Sequence, residues 1–92
     1  MRARELREQA RPMHRYLLQH SHEPHECGAV FASFRGHDSV LRHRSTVATC
    51  ATGGHVIWWL VEAEDMREAL GLLPHYVAER TMATLVREVE IP

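Results

Sequence analysis

STVATCATGGHVIWWLVE, residues 45–62, holds two runs rich in β-branched and aromatic residues on either side of a Gly53-Gly54 pair. Two such runs joined by a Gly-Gly dipeptide read as a β-hairpin with a two-residue turn. That register sets Thr52 opposite His55 and Cys50 opposite Ile57. Directly opposed residues share a face, so Cys50 is expected to look the same way as His55, Ile57 and Trp59. A hairpin in the middle of the chain makes the sheet antiparallel there, and the flanking segments must supply its other strands.

On the N-terminal side, MHRYLLQH (13–20) reads as a strand, with Tyr16 and Leu18 on one face and Met13 and Leu17 on the other. Apolar residues on both faces imply that both are covered. EPHECGAVFASFRG (23–36) reads as a helix. Pro24 suits the first helical position, and Glu23 and Glu26 suit the positive end of the macrodipole. Cys27, Val30, Phe31 and Phe34 fall at i, i+3, i+4 and i+7 and are expected to form one buried stripe that stops at Gly36. Residues 37–44 connect this helix to the hairpin. On the C-terminal side, EDMREALGLLPHYVAER (64–80) predicts a second helix capped by Asp65 with Glu68 three residues on, broken or restarted at Pro74. MATLVREVEI (82–91) alternates as a final strand.

The order β-α-β-β-α-β is the ferredoxin-like split βαβ pattern. The expected class is therefore α+β: a four-stranded antiparallel sheet with two helices on one face, occupying residues 13–92. Residues 1–12 precede it as an arm. The second sheet face carries side chains that a monomer would leave wet. Pairing with a second copy, as a homodimer closed into a dimeric α/β barrel, would cover them.

Composition narrows the function classes. The 92 residues suffice for one small domain with a thin core, at 45% hydrophobic content. Eleven basic against twelve acidic side chains leave a net charge of −1, which argues against a nucleic-acid partner. No apolar run approaches the ~20 residues needed to span a bilayer, so no membrane partner is expected. The first twelve residues lack the apolar stretch of a signal peptide. A cytoplasmic location with Cys27 and Cys50 reduced follows as the expectation. Eight histidines stand out, where average usage would give roughly two. High-GC codon usage can raise such a total, but clustering turns attention to metal or proton chemistry.

The cluster is HSHEPHEC, residues 20–27. His20 and His22 share strand parity and project from one face at the strand's end, while His25 and Cys27 fall in the first turn of the helix. Imidazoles and a thiolate suit Ni, Zn or Cu better than Mg or Ca. His20 and His22 are the leading candidate ligands, with His25 and Cys27 as additions. Two features pull the other way. Cys27 belongs to the apolar stripe, where a small buried hydrophobe is expected, and His25 points away from that stripe. His14 is six residues from His20, about 20 Å at strand rise, too far for one ion.

Tyr16, Trp58 and Trp59 are the candidate wall of a site for a small organic ligand, although bulky strand aromatics more often pack. His20 or His22 could act as a general base, with Arg80 or Arg87 as an anion anchor. No nucleophile motif or Gly-rich phosphate loop accompanies them, and no catalytic residue is assigned.

From RYLLQHSHEP (15–24), through VEAEDMREAL (61–70), to VAERTMATLVREVEIP (77–92), the chain resembles small ferredoxin-like proteins of the dimeric α/β-barrel superfamily. It is most similar to short bacterial, often actinobacterial, proteins that include a nickel-binding member. The resemblance implies a homodimer and admits nickel among the candidate metals. It also implies an alternative, because the superfamily contains monooxygenases, isomerases and haem-degrading enzymes. The expectation is a homodimeric transition-metal-binding protein that buffers, senses or delivers Ni, Zn or Cu. The alternative is a monooxygenase- or isomerase-like enzyme acting on an organic ligand in the sheet-face cavity.

Overall fold

The computed structural model describes residues 12–92. The arm expected over 1–12 lies outside the described residues apart from Pro12. The chain begins with β1 (His14–Ser21), followed by a 3₁₀ turn (Pro24–Glu26) that runs into helix α1 (Cys27–Ala32). Next come β2 (Val47–Ala48), a second 3₁₀ turn (Cys50–Thr52) and β3 (Val56–Ala63). Helices α2 (Met66–Gly71) and α3 (His75–Ala78) lead to β4 (Thr81–Val86). The fold is α+β. Its four strands form one open antiparallel sheet in the order β2-β3-β1-β4, so β3 lies between β1 and β2, and β1 between β3 and β4.

Period-two alternation sorts the two long strands onto two faces. Tyr16, Leu18 and His20 of β1 and Ile57, Trp59, Val61 and Ala63 of β3 are buried beneath the helices, where they meet Val30, Ala69, Leu73 and Val77. Burying one such aliphatic side chain is worth about 1.5–3 kcal/mol. The opposite face carries two cross-strand rows, Val47–Trp58–Gln19–Met82 and Leu60–Leu17–Thr84. Val47, Leu60 and Met82 are exposed there.

The helical side is shorter than the sequence pattern suggests. The helix expected over 23–36 is a 3₁₀ turn plus six α-helical residues. The chain then winds through turns to Gly36, whose φ of 78° is the left-handed region open to glycine. Val30 takes the centre of the buried face and Phe34 packs at its edge, but Phe31, expected on that stripe, is exposed. The helix expected over 64–80 divides at Pro74, as a residue without an N–H demands. Asp65 Oδ1 caps α2 by accepting the Glu68 N–H at 2.8 Å. β4 stops at Val86 because its partner β1 runs out: Arg15 faces Val86 one residue from the start of β1. Val89 and Ile91, expected within the strand, lie exposed beyond it.

The central hairpin also differs from expectation. Val47 faces Trp58 and Ala48 faces Ile57, two residues out of the expected register, and β2 is only two residues long. Thr49 is the cause. Its carbonyl accepts the Thr52 N–H (3.0 Å) and the Gly54 N–H (2.8 Å), and its hydroxyl accepts the Val56 N–H (3.1 Å). These local bonds close a 3₁₀ turn in place of ladder pairs. Gly53 completes the turn with φ 92°, and a side chain at Gly54 would run into Thr49. An even register shift keeps each residue on its original face, so Cys50 still points to the side of Ile57.

Candidate metal centre

Strand pairing starts the site. Ser21 faces Val56 at the end of the β1–β3 ladder. The next residues outward, His22 and His55, are joined by the His22 N–H donating to the His55 carbonyl (3.2 Å). His55 sits in the left-handed region at φ 54°. A non-glycine residue holds that conformation only where its surroundings enforce it, and such positions cluster at functional sites. The Pro24–Glu26 turn then folds Cys27 back toward the two imidazoles, and the Cys50–Thr52 turn brings in Cys50 from the hairpin.

The four donor atoms of His22, Cys27, Cys50 and His55 all lie within 4.8 Å of one another. Cys27 Sγ is 3.2 Å from His22 Nε2 and 3.0 Å from His55 Nδ1, and Cys50 Sγ is 3.6 Å from His22 Nε2. Zinc bound at Zn–S ≈ 2.3 Å and Zn–N ≈ 2.0–2.1 Å in a tetrahedron requires S···N edges of about 3.5 Å. The observed separations bracket that length, so the cluster could hold a transition-metal ion such as zinc.

The electrostatics suit a cation. Burial, together with the neighbouring His55, lowers the His22 pKa, which keeps this imidazole neutral and able to coordinate. Burial and the nearby Cys27 push the Cys50 thiol up, because a second thiolate is costly there without a positive partner. His22 Nδ1 is buried with no hydrogen-bond partner.

The turn that presents Cys27 is fastened from beneath by Glu26. Its Oε1 accepts the Glu23 N–H (3.0 Å), and its Oε2 accepts the Tyr76 hydroxyl (2.6 Å) and a guanidinium N–H of Arg80. The Arg80 guanidinium, then the Tyr76 hydroxyl and the Glu23 N–H, lower the Glu26 carboxyl from its ordinary 4.5 to about 2. Arg80, considered above as an anion anchor, is therefore already paired.

Of the four residues nominated from HSHEPHEC, the structure brings His22 and Cys27 into the cluster. His20 lies beside it, fully buried, its ring 5.2 Å from that of His22 and its Nδ1 donating to the Val77 carbonyl (3.1 Å). Burial, then the neighbouring His22, lower its pKa. His25 is exposed and lines an open cleft that also touches His22, Glu26 and Arg80. Cys50 and His55 were not nominated. Their signal was their shared face on the hairpin, combined with the meeting of His55 and His22 at the end of the β1–β3 ladder. The three nominated aromatics do not line one cavity: Tyr16 and Trp59 belong to the core on the helix side of the sheet, where Trp59 alone of the three also borders a cleft, while Trp58 is on the opposite face, its Nε1–H donating to Gln19 (3.1 Å).

Among the described residues, no helix is long and apolar enough to cross a membrane. No protein-family model matches the chain, nor does any curated protein or solved structure.

Proposed function

We propose that the protein binds one zinc ion through His22, Cys27, Cys50 and His55, and that the ion clamps the hairpin to the β1–α1 corner. The observation that carries this reading is the convergence of two thiols and two imidazoles, from both sides of the β1–β3 pair, within 4.8 Å. An S₂N₂ donor set suits zinc better than nickel or cupric copper, which prefer square-planar or tetragonal N and O ligands. Four protein ligands fill the coordination sphere, which fits holding or buffering a metal better than activating a substrate.

The architecture fits the ferredoxin-like, dimeric-barrel reading as a frame for this site. In the order β2-β3-β1-β4 each βαβ unit is split by a strand of the other. The exposed apolar side chains of Val47, Leu60 and Met82, set around Trp58, Gln19 and Leu17 on this face, support a homodimer formed by stacking two such faces.

The test is elemental analysis of untagged protein, followed by cobalt substitution. One equivalent of zinc and a thiolate-to-cobalt charge-transfer band, both lost in Cys27→Ser with Cys50→Ser, are the expected results. A protein carrying no metal above background and giving no such band overturns the proposal.

A further inference from the structure

A second concave site lies on the helix side of the sheet, away from the four clustered donors. Because α1 ends at Ala32 and β2 is only two residues long, the β2 edge of the sheet is left without a helix over it. The connector 37–46 walls off the space instead, leaving a cleft of ≈ 460 Å³. This is within the ≈ 300–1,000 Å³ typical of small-molecule sites.

The floor is aromatic and aliphatic, made by Trp59, Phe34, Ile57 and Leu41. The Phe34 and Trp59 rings lie 6.0 Å apart. Phe31 stands at the mouth with 55% of its surface exposed, apolar area that the protein's own packing leaves uncovered. Arg35, Arg42 and Arg44 line the same cleft, and no carboxylate among the described residues does. None of the three arginines has an ion-pair partner among the described residues.

The connector that carries two of these arginines is a built wall. The Ser39 hydroxyl donates to the Leu72 carbonyl (2.7 Å), the Arg42 N–H to the Ser39 carbonyl (3.2 Å) and the Arg44 N–H to the Leu41 carbonyl (3.3 Å). His43, at φ 64°, turns the chain between Arg42 and Arg44. An apolar floor bordered by unpaired guanidinium groups is complementary to a flat apolar body bearing one anionic group. Arginine binds carboxylate and phosphate bidentately and also stacks on aromatic rings.

We infer that the cleft between α1, the 37–46 connector and the β2 edge binds a small aromatic anion, a carboxylate or a phosphate ester. The ring system lies against Phe34 and Trp59, and the anionic group meets Arg35, Arg42 and Arg44. None of the metal-centre residues lines the cleft, so the inference stands or falls separately from the zinc reading.

The probes are 1-naphthoate, 1-naphthyl phosphate and the neutral 1-naphthalenemethanol, added to the full chain as purified. Indole N–H resonances report position, because Trp59 is in the cleft and Trp58 is on the far face. The expected result is saturable movement of the Trp59 signal with that of Trp58 unmoved. One or both anions should bind at least about tenfold tighter than the alcohol, since a charge-assisted hydrogen bond is worth ≈ 1.5–3 kcal/mol. The stronger anion identifies the natural head group. Arg42→Gln with Arg44→Gln should erase that preference while leaving the alcohol's affinity unchanged. Arg35→Gln alone serves the same purpose should the double variant misfold. Equal binding of anions and alcohol, an unmoved Trp59 signal, or undiminished anion affinity in a folded variant overturns the inference.

Discussion

With a zinc ion in the proposed site, its removal should cost this protein a large share of its stability, and the amount follows from the chain path. An ion held by His22, Cys27, Cys50 and His55 cross-links segments 28 residues apart, the separation of both the Cys27–His55 and the His22–Cys50 pairs. Closing a loop of that length in the unfolded chain corresponds to roughly 3–4 kcal/mol on the chain-entropy relation for cross-links. Whole domains are stable by only about 5–15 kcal/mol. For a domain of this size each kcal/mol moves Tm by about 4–8 °C, so chelation should lower Tm by roughly 10–30 °C. The perturbation is a chelator added to wild type and to Cys50→Ser, with melting followed by far-UV circular dichroism. Without metal the two proteins should melt within a few degrees of each other, because the substitution swaps one small polar group for another at a partly exposed turn. With zinc, only the wild type should gain. A chelator that leaves the wild-type Tm unmoved, or lowers that of Cys50→Ser by the same amount, would refute the cross-link argument.

Four further outcomes are expected. Glu26 has its folded pKa depressed to about 2, so its contribution is fully present above the ordinary carboxylate value of 4.5 and is lost as pH falls through about 2. The Tm gap between wild type and Glu26→Gln should therefore close on acidification from pH 6 toward pH 2, and a constant gap would show that the Arg80 and Tyr76 contacts do not act through charge. Leu18→Ala, in the fully buried centre of β1, should cost about 2–5 kcal/mol in urea denaturation. On the proposed pairing of open sheet faces, native mass spectrometry should show dimers for the wild type and monomers for Met82→Glu. Zinc affinity, measured by competition with a chromophoric chelator, should rise from pH 6 to pH 8, because the raised Cys50 thiol must lose its proton to coordinate.

How far the sequence could be read depended on how local each signal was. Which residues of β1 and β3 share a face follows from the period of two, but both faces of YLL and VIWWLV are apolar, so only the packing of the helices decides that Tyr16, Leu18, Ile57, Trp59 and Val61 lie inward. Pro74 and Asp65 act on their own backbone neighbours and did what their chemistry requires. The extent of α1 was not legible, because its stripe of apolar residues runs past Ala32, where the helix ends, to Phe34, which still packs on the core, while Phe31 within the helix is exposed. The His/Cys cluster was half legible for a similar reason. HSHEPHEC drew attention through its density, but strand parity carries His20 into the core with Leu18, and the 3₁₀ turn leaves His25 in solvent. The remaining donors come from the hairpin, whose turn is set by the hydroxyl and carbonyl of Thr49, a competition that β-propensity does not register.

The position of the cluster also bears on why so small a chain would carry it. The hydrophobic core is concentrated where β1, β3, α2 and α3 meet. The β2 side has little of its own: two ladder residues, a six-residue helix and a ten-residue connector held by a few turn hydrogen bonds. Small domains bury too little surface to secure every segment, and a metal staple is one of the usual remedies. The four donors sit on the seam between the well-packed half and the thin one, since His22 extends β1 while Cys50 belongs to the hairpin turn beside β2. An ion there would hold the hairpin turn, and with it the edge that borders the arginine-lined cleft, against the strand that anchors the core. On this argument metal loss loosens residues 45–55 before it unfolds β1. Amide exchange in chelator should then accelerate first at Thr49 and Val56, while Leu18 stays protected until global unfolding.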